Sequence, residues 1–252
     1  MFADLSLTQW LAGALGALLV GLAKGGLPGV GNLAIPLYAF AFGGKPSVGL
    51  LLPVLLCGDV AAVIIYRREA LWQPIWRLLP ATVAGLLAGW LLFDLVPADA
   101  FARLVGALLL VMTGAHFLRQ RLQGGQTDAQ IEALGRNWFF RGSVGLGVGA
   151  STMLANAAGP LGAFYLMALR LPKLAFVGTM AWFFFIVNAI KIPLQVELGI
   201  LTFDTLLLSL SCGVFAIVGA IIGPFILRRI SQEIFGKWVW LMVIAAALKL
   251  LW

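Results

Sequence analysis

Charged residues are scarce in this sequence, and their scarcity excludes most soluble folds. Only 11% of the 252 residues are Asp, Glu, Lys or Arg, whereas 62% are hydrophobic. Soluble domains carry about 25% charged residues. Since the long stretches without charge are apolar, we expect lipid to be the solvent of this chain.

The residues of hydrolytic and metal chemistry are also nearly absent. The one histidine is His116, and the cysteines Cys57 and Cys212 lie far apart inside apolar runs. We interpret both cysteines as small core residues rather than as a disulfide or a metal pair. No zinc-protease, serine-hydrolase or nucleotide-binding motif occurs. We therefore expect no enzyme activity, no metal and no cofactor, and ATP-driven transport would need a separate subunit.

The formal net charge of +7 does not indicate nucleic-acid binding. The Arg and Lys residues stand in short loops between apolar runs, where they are typical of charges that set membrane topology. Residues 1–6 have no basic residue, so we expect the first apolar run to belong to the mature protein rather than to a signal peptide. Tryptophans near the predicted membrane boundaries are interpreted as interface anchors: Trp72, Trp76, Trp138 and Trp252.

Apolar runs predict an all-α polytopic membrane protein. The runs are 7–23, 30–43, 46–66, 76–96, 101–118, 138–155, 157–170, 172–192, 205–227 and 234–252. A full helical crossing needs about 20 residues, and the second and seventh runs are too short. We expect 7–43 and 138–170 to form helical hairpins that dip into the membrane, or else unusually short crossings.

Three short matches indicate an internal duplication. They are Asn32-Leu-Ala-Ile-Pro36-Leu37 with Asn156-Ala-Ala-Gly-Pro160-Leu161, Gly85-xxx-Gly89 with Gly219-xxx-Gly223, and Asp99-Ala-Phe101-x-Arg103 with Glu233-Ile-Phe235-x-Lys237. We predict two inverted-topology repeats, each a broken hairpin plus three transmembrane helices. Residues 1–121 form the first repeat, 122–137 a cytoplasmic linker and 138–252 the second.

Loop cations predict the orientation of the chain. If the N-terminus is outside, twelve cations lie in inside loops and four outside, which is the bias expected of a bacterial inner-membrane protein with both termini extracytoplasmic. The inside cations are Arg67, Arg68, Arg77, Arg119, Arg121, Arg136, Arg141, Arg170, Lys173, Arg228, Arg229 and Lys237, and the outside ones are Lys45, Arg103, Lys191 and Lys249.

The break in the first hairpin is rich in glycine. From Gly21 to Asn32 the chain carries glycines that include Gly25 and Gly26, together with Lys24. We expect this stretch to leave the helix, and glycine lets backbone approach a ligand closely. The following helix start and Lys24 would then favour an anion. The alternative is that Lys24 snorkels to a surface and the glycines only pack helices.

The break in the second hairpin offers neutral donors instead of charge. Ser151, Thr152 and Asn156 precede Pro160, which suits the first turn of a helix. In an inverted repeat the two breaks would face each other near the membrane midplane and form one site for a small, compact anion. Helix capping explains Asn32 and Asn156 equally well when each is taken singly.

Three polar residues lie within other predicted crossings. Asp59 should be deep in the membrane, where a carboxylate is costly and usually functional. It could pair with Lys24 as a structural ion pair or take up a proton during transport. Asn188 lies within the 172–192 run, and Lys191 at its outer end either contacts the substrate path or anchors the helix at the interface.

The sequence resembles the sulfite exporter TauE/SafE family over about residues 10–250. The resemblance is carried by Gly21-x-x-Lys24-Gly25-Gly26, Asn32-x-x-x-Pro36, Asn156-x-x-Gly159-Pro160 and Asn188-x-x-Lys191-x-Pro193. It implies export of sulfite or of an organosulfonate such as sulfoacetate. It also directs attention to Lys24, Asn32, Asn156, Asn188 and Lys191. Many members have a denser glycine run in the first break, which leaves the substrate open.

Taken together, these features predict a secondary transporter that works by alternating access. Its expected partners are a small anion, membrane lipid and, if Asp59 titrates, protons; a homodimer is left open. The alternatives are an anion channel and a permease for another small anion such as a carboxylate.

Overall fold

The computed structural model describes residues 6–95 and 137–251, and between them only residues 97, 103, 107, 110, 111, 113, 114 and 133. Every regular element in the two long ranges is helical, as the apolar runs predict. The helices are α1 Leu7–Gly25, α2 Ala34–Phe42, α3 Gly44–Tyr66, α4 Trp72–Leu91, α5 Trp138–Ala155, α6 Gly159–Ala168, α7 Lys173–Glu197, α8 Phe203–Arg229 and α9 Gln232–Leu251. The predicted 101–118 crossing and most of the 122–137 linker lie outside the described residues.

Five of the described helices are long and apolar enough to cross a membrane. They are Leu7–Gly25, Lys45–Tyr66, Trp72–Leu91, Lys173–Glu197 and Phe203–Arg229. At 1.5 Å per residue, the 19 residues of α1 extend about 28 Å, close to the thickness of a bilayer core. The two shorter return helices match the short runs that the sequence places at 30–43 and 157–170.

The first hairpin folds back on itself as predicted. The side-chain amide nitrogen of Gln9 donates to the carbonyl of Ala41 at 3.1 Å, and the Tyr38 hydroxyl donates to the carbonyl of Gly13 at 3.0 Å. The return leg starts as a 3-10 turn over Val30–Leu33 and continues as α2. The chain therefore comes back at Phe42 to the level at which α1 begins.

The prediction that the chain leaves the helix from Gly21 is wrong. Helix α1 continues through Lys24 to Gly25 and ends at Gly26, whose φ of 132° only glycine adopts easily. A Cβ on Gly21 would overlap the carbonyl of Ala216 in α8. Close helix contact thus compensates for the low helix propensity of glycine, and the true break is confined to residues 26–29.

Glycines pack two pairs of parallel helices in the same way. Along α1 and α8, Gly219 meets the backbone at Leu18 and Leu22, and Gly223 meets Gly25. Along α4 and α5, a Cβ on Gly149 would overlap the carbonyl of Thr82, and the Gly85-xxx-Gly89 segment meets Leu146, Ala150 and Met153. Small residues that bring backbones together in this manner are characteristic of membrane helix pairs. Both Gly-xxx-Gly matches of the sequence therefore act in packing.

The chain forms two compact units, and each draws on both ends of the sequence. One unit comprises 1–70 and 177–231, and the other comprises 71–176 and 232–252. In the first unit the hairpin helix α1 packs on α8, and in the second the hairpin helix α5 packs on α4. Each broken hairpin thus pairs with a Gly-xxx-Gly helix from the other predicted repeat. The boundaries at 121 and 138 stay a prediction.

Candidate functional site

Asp59 lies at the centre of a buried polar cluster in the first unit. Its side chain has no exposed surface, and its Oδ1 atom is 2.6 Å from the Nζ of Lys24. Its other oxygen, Oδ2, accepts a hydrogen bond of 2.6 Å from the amide of Asn188. Of the two roles that the sequence leaves open for Asp59, the ion pair with Lys24 is observed. Proton uptake stays a prediction.

Lys24 extends from the last turn of α1 into this cluster. Its side chain is 14% exposed, and its Nζ lies 4.8 Å from the ring centre of Phe184 in α7. A cation over an aromatic face is electrostatically favourable, and more so when water is excluded. Lys24 is therefore held by a carboxylate on α3 and a ring on α7, and does not snorkel to a surface.

Helix α7 presents three buried polar side chains along one face. Asn188, Lys191 and Gln195 follow at intervals of three and four residues, and their exposed fractions are 1%, 0% and 0%. Lys191 acts electrostatically on both Asp59 and Lys24, so the three charged groups share one region. Its complete burial does not fit the interface-anchor alternative.

Gln195 is a candidate that sequence reasoning missed. Both polar atoms of its side chain are buried and have no hydrogen-bond partner among the described residues, and the Oδ1 of Asn188 is in the same condition. A buried polar group without a partner costs about 1–3 kcal/mol, so such groups usually face a ligand or water. This face of α7 therefore carries buried polar atoms, on Asn188 and Gln195, that have no hydrogen-bond partner among the described residues.

Helices α3 and α7 lie antiparallel with matched contacts. Gly49, near the start of α3, meets Ile200 just after α7, and Gly178, near the start of α7, meets Glu69 and Ala70 just after α3. The two helices align without gaps through Val48-Gly49 and Val177-Gly178, which is a fourth sequence match beside the three given above. In that alignment Asp59 coincides with Asn188, the residue 129 positions later to which it is hydrogen-bonded.

The glycines beside Lys24 are occupied by packing and helix termination. A Cβ on Gly25 would press on Ala220 of α8, and its carbonyl accepts a 2.6 Å hydrogen bond from the Tyr66 hydroxyl. Gly26 ends the helix. Asn32 lies in the 3-10 turn, partly buried, and its side chain does not cap a helix. A substrate-binding role for these three residues stays a prediction.

The second break has a different local structure from the first. Asn156 ends α5 in the left-handed conformation at φ 54°, with its backbone N–H directed at the carbonyls of Ser151 and Thr152. Asparagine is one of the few residues that tolerate this conformation, which makes Asn156 a C-terminal cap. The side chains of Ser151 and Thr152 are 1% and 2% exposed. These residues belong to the second unit, and their joint site with the first break stays a prediction.

The cluster has the chemistry of an anion site rather than of a metal centre. It contains two lysines and one carboxylate, so its formal charge is +1, and the side-chain nitrogen of Gln195 adds a neutral donor without a partner among the described residues. Among the residues that the structure describes, no group of three His, Cys, Asp or Glu could hold a metal ion. A small anion would balance the surplus charge and supply acceptors for the amide donors.

Comparison with known proteins gives one match. A family model described as "Sulfite exporter TauE/SafE" matches residues 13–250, nearly the whole chain. No curated protein and no solved structure matches the chain. The matched range includes every residue of the buried cluster.

Proposed function

Since the chain belongs to the sulfite exporter TauE/SafE family, we propose that it exports a small sulfur-containing oxyanion, sulfite or an organosulfonate such as sulfoacetate. The family and the apolar helices make it a multi-pass membrane transporter. The buried cluster of Lys24, Asp59, Asn188 and Lys191 is the proposed binding site.

The observation that carries this proposal is that two lysines and one carboxylate meet in a cluster that is largely withdrawn from solvent. Asp59 balances one lysine, and both of its oxygens are already engaged. Lys191 is fully buried beside this pair, and a lysine in such surroundings favours the approach of an anion. A compact oxyanion carries several oxygens, which can accept hydrogen bonds from Lys191 and Gln195 in different directions.

Alternating access is the proposed mode of transport. The break at residues 26–29 separates α1 from its return leg, and a break of this kind is where a transporter helix can change direction. Exit of an anion from a cell that is negative inside is favoured by about 2.3 kcal/mol per charge for each 100 mV. Uniport is therefore sufficient, with proton coupling through Asp59 as a further element of the proposal.

The test measures anion binding and transport by Lys191→Met beside wild type. Calorimetry with sulfite, sulfate, sulfoacetate, taurine, acetate and chloride should give selective binding of a sulfur oxyanion by wild type. Lys191→Met should lose that binding yet stay folded, because methionine fills the same space without a buried charge. The control is Lys237→Met, which removes a lysine whose side chain is 74% exposed.

Three results would overturn the proposal. Equal binding of sulfoacetate by wild type and Lys191→Met would remove the cluster as the site. Selective binding of acetate would indicate a carboxylate permease, and single-channel currents in a planar bilayer would indicate a channel. For proton coupling, Asp59→Asn should change the pH dependence of the transport rate; an unchanged dependence ends that part of the proposal.

A further inference from the structure

A cavity of about 680 Å³ lies between the first turns of α4 and α5 in the second unit. Arg77 and Arg141 line it together with Gln73, and the rings of Trp76 and Trp138 lie beside them. The described lining contains no Asp or Glu. This pocket involves none of the residues proposed to bind the transported anion.

The electrostatics of the pocket favour an anion with several oxygens. Both guanidiniums are partly buried, and neither has an ion-pair partner among the described residues. The Nε of Arg141 is buried without a hydrogen-bond partner. The two helices also begin here, and the positive ends of their dipoles add positive potential. Arginine forks bind phosphate oxygens in pairs, so a phosphate group matches this arrangement best.

The apolar part of the pocket favours a lipid over a soluble phosphate. Trp76 and Trp138 are 59% and 76% exposed, and they flank the arginines rather than filling a protein core. Tryptophan rings of this kind lie at the level of lipid headgroups, with acyl chains on one side and water on the other. Basic pockets between membrane helices are typical sites for anionic headgroups.

We propose that this pocket binds the phosphate group of an anionic phospholipid, with Arg77 and Arg141 on the phosphate and Trp76 and Trp138 against the glycerol and the upper acyl chains. This pocket shares no residue with the proposed transport site, so lipid binding can be tested independently of which anion is exported.

The test compares three additives in thermal unfolding of the detergent-solubilised full chain. They are short-chain phosphatidylglycerol, short-chain phosphatidylcholine and glycerol 3-phosphate. We expect only phosphatidylglycerol to raise the melting temperature. Arg77→Gln/Arg141→Gln should weaken its apparent affinity about 30-fold, since each basic residue near the surface contributes about one factor of five. The control Arg67→Gln/Arg68→Gln removes two exposed arginines and should bind as wild type.

Equal stabilisation by phosphatidylcholine would overturn the proposal, as would unchanged affinity in Arg77→Gln/Arg141→Gln. Stabilisation by glycerol 3-phosphate as strong as that by the lipid would show a soluble-anion site and overturn the choice of a lipid. If the double variant does not fold, native mass spectrometry of the wild-type protein measures its preference between the two lipids instead. Phosphatidylglycerol should then stay bound under activation that removes phosphatidylcholine, and a lack of preference would refute the site.

Discussion

Neutralising Lys24 and Asp59 singly and together should show how strongly the buried pair holds the first unit. Their charged atoms are 2.6 Å apart, which corresponds to roughly 6 kcal/mol of attraction at an effective dielectric constant of about 20. Removing one member leaves the other buried and alone, which typically costs about 3–5 kcal/mol. Lys24→Met should lie at the lower end of this range because Lys191 remains near the carboxylate. Asp59→Asn should lie at the upper end because both Lys24 and Lys191 lose their neighbouring carboxylate.

The double variant Lys24→Met/Asp59→Asn should be clearly more stable than Asp59→Asn, because only Lys191 is then left without the carboxylate. It buries no unpaired charge in this pair, and the new asparagine oxygen can still accept the hydrogen bond from Asn188. The coupling energy of the cycle should therefore reach at least about 3 kcal/mol, the upper end for residues in contact. Reversible unfolding of the purified protein in mixed micelles with increasing SDS measures each free energy.

A second ion pair in the same chain is a matched control. Lys237 and Glu233 are also 2.6 Å apart, but their side chains are 74% and 76% exposed. Neutralising either residue should cause no measurable change in the free energy of unfolding, because solvent screens exposed ion pairs. If Lys24→Met costs no more than Lys237→Met, or if the effects of Lys24→Met and Asp59→Asn simply add, the cluster is not a desolvated ion pair and the charge count behind the proposed site is refuted.

Three further substitutions test packing and polar contacts. Gly149→Ala should destabilise the protein by about 1–3 kcal/mol because its Cβ would overlap α4. The control Gly142→Ala, on the same helix, has free space and should be neutral or slightly stabilising. Thermal unfolding of both variants checks this. Gln195→Leu should leave unfolding stability unchanged or raised but slow counterflow of the exported anion several-fold; unchanged counterflow would make Gln195 irrelevant to binding. Tyr66→Phe should cost about 1 kcal/mol in the same unfolding assay, since it deprives the carbonyl of Gly25 at the end of α1 of its donor.

Helix positions were largely predictable because charges and Gly/Pro clusters interrupt apolar runs cleanly. The predicted 46–66 and 205–227 runs correspond to Gly44–Tyr66 and Phe203–Arg229. Both hairpins were predictable from length alone, since runs of fourteen residues are too short to cross a bilayer. Asp59 and Lys24 were candidates for the same reason that makes them costly: each charge interrupts an otherwise apolar stretch.

What the sequence did not predict depends on contacts between helices. Glycine propensity alone predicts that α1 breaks at Gly21, but the neighbouring backbone of α8 holds it helical to Gly25. Pro193 suggests a helix end, yet α7 continues to Glu197. A proline within a membrane helix is tolerated when neighbouring groups satisfy the freed carbonyl. A helix predicted to end at residue 192 places Lys191 at its outer end and leaves Gln195 outside the membrane segment.

If the predicted duplication is right, the matched positions of Asp59 and Asn188 explain why the cluster holds two lysines and one carboxylate. Gly49 of α3 and Gly178 of α7 each contact the segment that follows the other helix. The two helices also meet at Asp59 and Asn188, which are hydrogen-bonded to each other. Had both positions carried aspartate, two carboxylates would neutralise Lys24 and Lys191, and no charge would remain for an anion. Asn188→Asp should therefore weaken anion binding, because the two lysines favour ionisation of a second carboxyl group next to Asp59. Calorimetry on this variant, with Asn188→Gln as the neutral control, checks the expectation. Retained binding in Asn188→Asp would mean that the anion does not balance the charge of this cluster.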